Sequence, residues 1–210
     1  MPTPPTERSV KISADERGGW SSDRPRRDGD SPRPVDISVR CRVLNSSDRL
    51  RYSPGSLVVI VSPSDAQRER FIQRLADSRA SVLSLGKVRE LLAGRVAEAE
   101  VEDRARELLS ATVAKRLEAN ETVVVAAEGL EASEREPFLR AAAGHRRPRH
   151  LILLDTGRDV EEEDRATLND LRRRLDTGEL GAEGFQTAVR LSERAATELR
   201  TIAFRSAPRD

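Results

Sequence analysis

Leu57 to Phe71 reads LVVIVSPSDAQRERF: five aliphatic residues in a row, a short polar break, then a segment in which Phe71, Ile72 and Leu75 fall at helical spacing. An unbroken apolar run of this length suits a strand covered on both faces, as in the interior of a parallel sheet. A helix following at once makes the pair the first half of a strand-helix-strand unit. The pattern recurs. Apolar runs stand at Ser81 to Leu83, Thr122 to Ala127, Leu151 to Leu154 and Thr201 to Phe204. Between them lie helical periods at Val88, Leu91 and Leu92, at Val101, Leu108, Val113 and Leu117, and at Phe138 and Leu139. This alternation predicts a doubly wound α/β fold with about five mainly parallel strands.

Upstream the character of the chain changes. Residues 1–34 carry six prolines and charges of both signs, with only Val10, Ile12 and Trp20 as substantial apolar side chains after the start, and are expected to be a disordered tail ahead of a domain over 35–210. Trp20 reads either as a docking anchor or as a lone tail aromatic. Asp36 to Val43 alternates apolar and polar residues, as an edge strand does, and Pro54-Gly55 marks a turn.

Composition narrows the function classes. Across 210 residues, 37 basic side chains against 36 acidic ones give a net charge of +1, so no global attraction to nucleic acid or anionic membrane is expected. Aromatics at 3% argue against base-stacking platforms. Cys41 is the sole cysteine, which excludes a disulfide framework and fits a reducing cytoplasm. No run approaches the ~20 apolar residues needed to cross a bilayer, and the N-terminus has no signal-like apolar region. Lysine occurs only at Lys11, Lys87 and Lys115, so few ammonium groups are available for phosphate chemistry.

The polar break after the first apolar run stands where an open α/β sheet binds ligands, beyond the carboxyl end of a strand. A phosphate loop there, G-x-x-x-x-G-K-[ST], needs glycines to converge backbone N–H groups on the anion, a lysine for the outer phosphates and a hydroxyl for magnesium. The matching positions hold Ser62, Gln67, Arg68 and Glu69. Ser62-Pro63-Ser64-Asp65 reads instead as an N-cap, a proline at the first helical position and a carboxylate three residues on, so that Asp65 supplies the anion at the helix start.

The order of segments GSLVVIVSPS, LGKVRELL, AKRLEANETVVVAAEGLEASEREPFLRAAA and LILLD resembles that of the P-loop kinase-like ATPases related to bacterial polynucleotide kinase, from about Gly55 to Phe204. The resemblance implies ATP and magnesium as ligands and a bacterial-type enzyme, but carried over residue by residue the motifs are degenerate. Where the family has Ser-Ser-Asp-x-x-Arg, with an Asp base and an Arg on the acceptor phosphate, this chain has Ser84, Leu85, Gly86 and Arg89. Where it has Asp-Ala-Thr-Asn, there stand Val125, Ala126, Ala127 and Glu128. Asp155 ends the next apolar run as a similar Leu-Asp does in the family, and Arg165, Arg172, Arg173 and Arg174 hold lid-like positions that a solvated helix face also explains. The resemblance therefore implies a degenerate nucleotide site at Ser64, Arg68, Glu69 and Arg89, with Glu128 and Asp155 as the only candidate catalytic carboxylates. Arg89 reads equally well as a surface ion pair. Phosphoryl transfer relies on positioned positive charge around the moving group, and losing several such groups together predicts a pseudoenzyme with a binding or regulatory role; an active kinase or NTPase using substitute residues is the alternative.

Three other stretches carry dense charge or glycine. Asp159 to Asp164, DVEEED, is an acidic cluster that the electrostatics of a helix start accounts for without metal, matched by Arg172 to Arg174 at the far end. His145 to His150, HRRPRH, is the densest basic patch; Arg146, Arg147 and Arg149 either touch nucleic-acid phosphates or line a polar loop. Glu179 to Arg190, with Gly178, Gly181 and Gly184 beside Phe185, reads as a turn and short helix over the sheet edge. No G-x-S-x-G elbow is present.

Overall fold

Strand β3 (Leu57–Val61) is buried at every position and pairs in parallel with strands on both sides, β5 (Val123–Ala126) and β6 (Arg149–Asp155). The computed structural model describes residues 40–43, 50–75, 81–155, 160, 162–199 and 202–204. The expectations for the tail over 1–34, Trp20 included, fall outside these residues, as do Asp159 and Glu161 of the acidic cluster over 159–164, whereas Glu162, Glu163 and Asp164 stand in the first turn of the helix Glu162–Asp176 with Arg173 and Arg174 in its last.

Among the described residues the main sheet has six strands, all parallel, in the order β1 (Arg40–Val43), β7 (Thr187–Ser192), β6, β3, β5, β4 (Ser81–Ser84). The expected doubly wound α/β architecture is what the structure has. From β3 the chain leaves through α1 (Asp65–Leu75) to the edge strand β4. It returns through α2 (Leu85–Leu92) and α3 (Glu98–Glu118) to β5. It then passes over β3 through α4 (Ala132–Gly144) to β6, and through α5 (Glu162–Asp176) and α6 (Leu180–Glu183) to β7. Right-handed crossovers require helices to change face when the direction of travel reverses. Accordingly, Val58 and Ile60 of β3 pack with Phe71 and Leu75 of α1, whereas Leu57, Val59 and Val61 pack with the helices α2 to α6.

Three elements depart from the sequence reading. Thr187–Ser192 is a strand between β1 and β6, not part of a short helix; Gly184, at φ +103°, ends α6 after one turn and releases the chain into it. The run ending at Phe204 does not join the main sheet. As β8 (Ile202–Phe204) it pairs in parallel with β2 (Leu50–Tyr52), a strand the turn at Pro54-Gly55 had obscured. This small sheet, with α7 (Glu193–Glu198), covers the face of the main sheet that carries Val58 and Ile60.

Tyr52 of β2 stacks on His150 of β6, ring centroids 4.4 Å apart, and His150 Nδ1 lies 2.7 Å from Thr187 Oγ1. The imidazole is buried with Nε2 unpartnered among the described residues, and burial pushes its pKa down from 6.5 to about 4. The unfolded chain therefore binds a proton that the folded chain refuses between these values, so stability from this group is complete above pH 6.5 and is lost as pH falls toward 4. Wild type should lose up to roughly 3 kcal/mol across that interval. Chemical denaturation at stepped pH should show a correspondingly shallower slope in His150→Phe, which keeps the stack but does not titrate.

Candidate functional site

Connections leave β3 and β5 in opposite directions, which makes the crevice outside their carboxyl ends the topological switch point, the position where open α/β sheets bind ligands. Four loops meet there: the β3–α1 junction, the start of α2, the segment after β5 and the end of β6.

At the β3–α1 junction the pairing of β3 runs to Val61, and Ser62-Pro63 makes the turn. Ser64, not Ser62, caps α1. Its Oγ accepts from the N–H of Gln67 at 3.4 Å, its carbonyl accepts the first helical bond from Arg68 N–H at 3.0 Å, and its own N–H donates to Ser62 Oγ at 3.1 Å. The cap expected at Ser62 thus falls two residues later, because Ser62 Oγ is spent in the turn, accepting from Ser64 N–H and donating to the Ser64 carbonyl at 3.0 Å, and the helix begins at Asp65. Backbone N–H groups of Ser64, Gln67 and Arg68, which a phosphate loop would aim at an anion, are thus held within the chain.

Arg68, at the position of the missing lysine, is buried at 4% exposure. Its guanidinium donates to the carbonyl of Glu128 at 2.9 Å and pairs with Asp65 at 2.9 Å. Asp65 sits in the first turn of α1, where a carboxylate is favoured by the helix end. Glu69 is half-buried on the same helix. Ser64, Arg68 and Glu69 therefore share one helix start, but the hydroxyl and the cation both have internal partners.

Arg89 lies on α2, whose N-cap Ser84 accepts from Lys87 N–H at 3.3 Å. It is clamped by two carboxylates. Its guanidinium reaches both oxygens of Glu128, at 2.5 and 2.8 Å, and both oxygens of Glu102 on α3, at 2.7 and 2.9 Å. Glu102 also accepts from Arg106 at 2.8 Å, and Arg106 in turn stands 3.6 Å from Glu134. The hydrogen bonds from Arg89 and Arg106 hold the Glu102 carboxyl down from 4.5 to about 2, and those carboxylates raise the Arg89 pKa. Sequence reasoning weighed Arg89 and Glu128 separately; the structure brings them together, and adds Glu102, Arg106 and Glu134, which helical charge patterning on α3 alone did not connect to them.

Asp155, at the end of β6, is engaged by Arg172 of α5 through both of its oxygens, and Arg190 lies 3.8 Å away. Arg173 and Arg174 pair with Glu179 and Glu183, and Arg165 with Glu162, so each of the four lid-like arginines has an acidic partner. Position 86, where the base would stand, is a glycine whose Cβ would meet nothing within 4 Å. Val125 is fully buried in the sheet. Among the described residues no cluster of His, Cys, Asp and Glu is arranged to hold a metal.

The basic patch comes apart. Arg147 caps the end of α3, donating to the carbonyl of Leu117 at 2.8 Å and to Asn120 Oδ1 at 2.5 Å. Arg149 is half-buried and its pKa is lowered by burial, whereas Arg146, at φ +54°, is exposed. No described helix is long and apolar enough to cross a membrane.

No family model matches the chain, and no curated protein does. Among solved structures, it is similar to a candidate kinase of Chloroflexus aurantiacus, at 14% identity over 67% of this chain and 87% of that one, with a TM-score of 0.45. It is also similar to the tunicamycin resistance protein of Deinococcus radiodurans, at 15% identity over 64% of this chain and 85% of that one, with a TM-score of 0.35.

Since Glu102 is depressed in the folded chain, its stabilising contribution is present above pH 4.5 and is lost as pH falls toward 2. These side chains are a third to nearly half exposed, so solvent screens the pair. Arg89→Met should lower stability at neutral pH by roughly 1 kcal/mol, less in high salt, and the difference from wild type should shrink near pH 2. Denaturant titrations at both pH values measure it.

Proposed function

We propose that the chain is a kinase-like P-loop scaffold whose nucleotide site is closed by its own side chains, and that it acts as a binding or regulatory protein and not as a phosphotransferase. The observation that carries this reading is the internal use of Arg68, whose guanidinium is turned onto the Glu128 carbonyl and Asp65 at a helix start where the N–H groups of Ser64, Gln67 and Arg68 are engaged. To receive a triphosphate, this buried cation would have to leave two partners while Asp65 repelled the incoming charge. The double clamp on Arg89 supports the same reading, because an acceptor phosphate would compete with two carboxylates already in place. So does the engagement of Glu128 and Asp155 by guanidiniums, since a carboxylate already paired in this way would have to leave its partner before it could take a proton from an acceptor hydroxyl.

The alternative, an ATP-dependent kinase or NTPase using Arg68 with Glu128 or Asp155, is separated from this reading by thermal melting with Mg-ATP. A ligand present at about a hundred times its dissociation constant adds ~2.7 kcal/mol, several degrees for a chain of this size. Millimolar Mg-ATP should move the midpoint by less than about 1 °C. A larger, reproducible shift that Arg68→Ala abolishes, together with phosphate release lost in Glu128→Gln or Asp155→Asn, would establish the alternative.

A further inference from the structure

Behind Glu128, between α3, α4 and the carboxyl end of β5, lies a cavity of about 110 Å³. Its floor is apolar, made by Leu85, Leu109, Ala126, Ala127 and Phe138. Its rim carries Ser110, Ser133, Arg106 and Glu134. We infer that this cavity binds a small primary amine with a branched or cyclic apolar body of about five or six heavy atoms. The inference gives the proposed binding role a ligand class and rests on that reading to this extent only.

Size, charge and hydrogen-bonding capacity lead to this class. An engineered apolar cavity of ~150 Å³ accepts benzene, so a space somewhat smaller takes a short branched chain and not a nucleoside. Glu128, Arg106 and Glu134 line the cavity, two carboxylates against one guanidinium, and they belong to the longer ion chain Glu128, Arg89, Glu102, Arg106, Glu134, in which three carboxylates against two guanidiniums leave one negative charge in excess. Within that chain Glu128 has both oxygens on Arg89, whereas Glu134 stands 3.6 Å from Arg106, beyond hydrogen-bond length. Glu134 is thus the carboxylate with capacity to spare. An ammonium has three N–H donors and no acceptor, and the rim offers it the Glu134 carboxylate and the hydroxyls of Ser110 and Ser133. An anionic head would meet Glu134 and Glu128, and the cation on the rim, Arg106, is already paired with Glu102 and Glu134.

The test is a titration of the full chain with isobutylamine, followed by the methyl and aromatic NMR signals of Leu109, Ala127 and Phe138, with isobutanol and isobutyrate as neutral and anionic comparisons. Isobutylamine should give saturable shifts in the millimolar range, isobutanol weaker ones and isobutyrate the weakest. Glu134→Gln should weaken the amine by about tenfold without altering isobutanol. Ser110→Leu, which fills the space from a helix position, should abolish all three. Absence of saturation, equal binding of amine and carboxylate, or an unchanged affinity in Glu134→Gln would overturn the assignment. Mg-ATP melting is read separately, so failure of the closed nucleotide site and failure of the amine site give different results.

Discussion

The buried guanidinium of Arg68 donates to the carbonyl of Glu128 and thereby ties the first turn of α1 to the segment that follows β5. These are the two sides of the switch-point crevice, and the rest of the site is arranged around that link. A buried guanidinium is tolerated only where its charge and its donors are met, and here Asp65 supplies the charge while the Glu128 carbonyl supplies an acceptor. Fixing the Glu128 backbone leaves its side chain directed to Arg89, which then reaches Glu102 on α3. One backbone contact so sets the course of an ion chain whose members Glu128, Arg106 and Glu134 line an apolar hollow at this end of the sheet.

The same arrangement accounts for why a place suited to anions is not electrostatically inviting. In a phosphate-binding junction the unpaired N–H groups and the cation are held open until ligand arrives. At Ser62 to Arg68 two hydroxyls and a helical carbonyl take up the N–H groups of Ser64, Gln67 and Arg68. Stability is gained locally from a capped helix and a paired charge, and on the proposed reading the capacity to receive a triphosphate is given up in exchange. At the opposite end of the strands, by contrast, two buried polar atoms find no partner among the described residues, the Tyr52 hydroxyl and His150 Nε2.

Much of the fold was legible because β3, β5 and β6 are buried on both faces and their sequences are almost purely aliphatic. The strands that escaped notice are those whose chemistry is mixed. β7 carries Thr187, Arg190 and Ser192 and follows a glycine-rich turn, so its letters resemble a surface loop although β1 and β6 pair with it on both sides. β2 is three residues long, too short for any period to show, and its partner β8 was assigned to the wrong sheet for want of it. In the site, the departure from phosphate-loop letters could be read directly, whereas the letters place the N-cap two residues early, at Ser62, because they do not show that Ser62 Oγ is spent in a turn with Ser64 before the helix begins. That Arg89 meets Glu102 and Glu128, separated from it by 13 and 39 residues, could not be read from spacing at all.

The central claim concerns donors already spent, and those donors can be observed singly. Backbone amide resonances of Ser64, Gln67 and Arg68 should keep their chemical shifts and their hydrogen-exchange protection when Mg-ATP is added in millimolar excess. Saturable movement of these three signals, with slower exchange at the same amides, would mean that the junction opens to hold phosphate, and the account of a self-closed site would be contradicted.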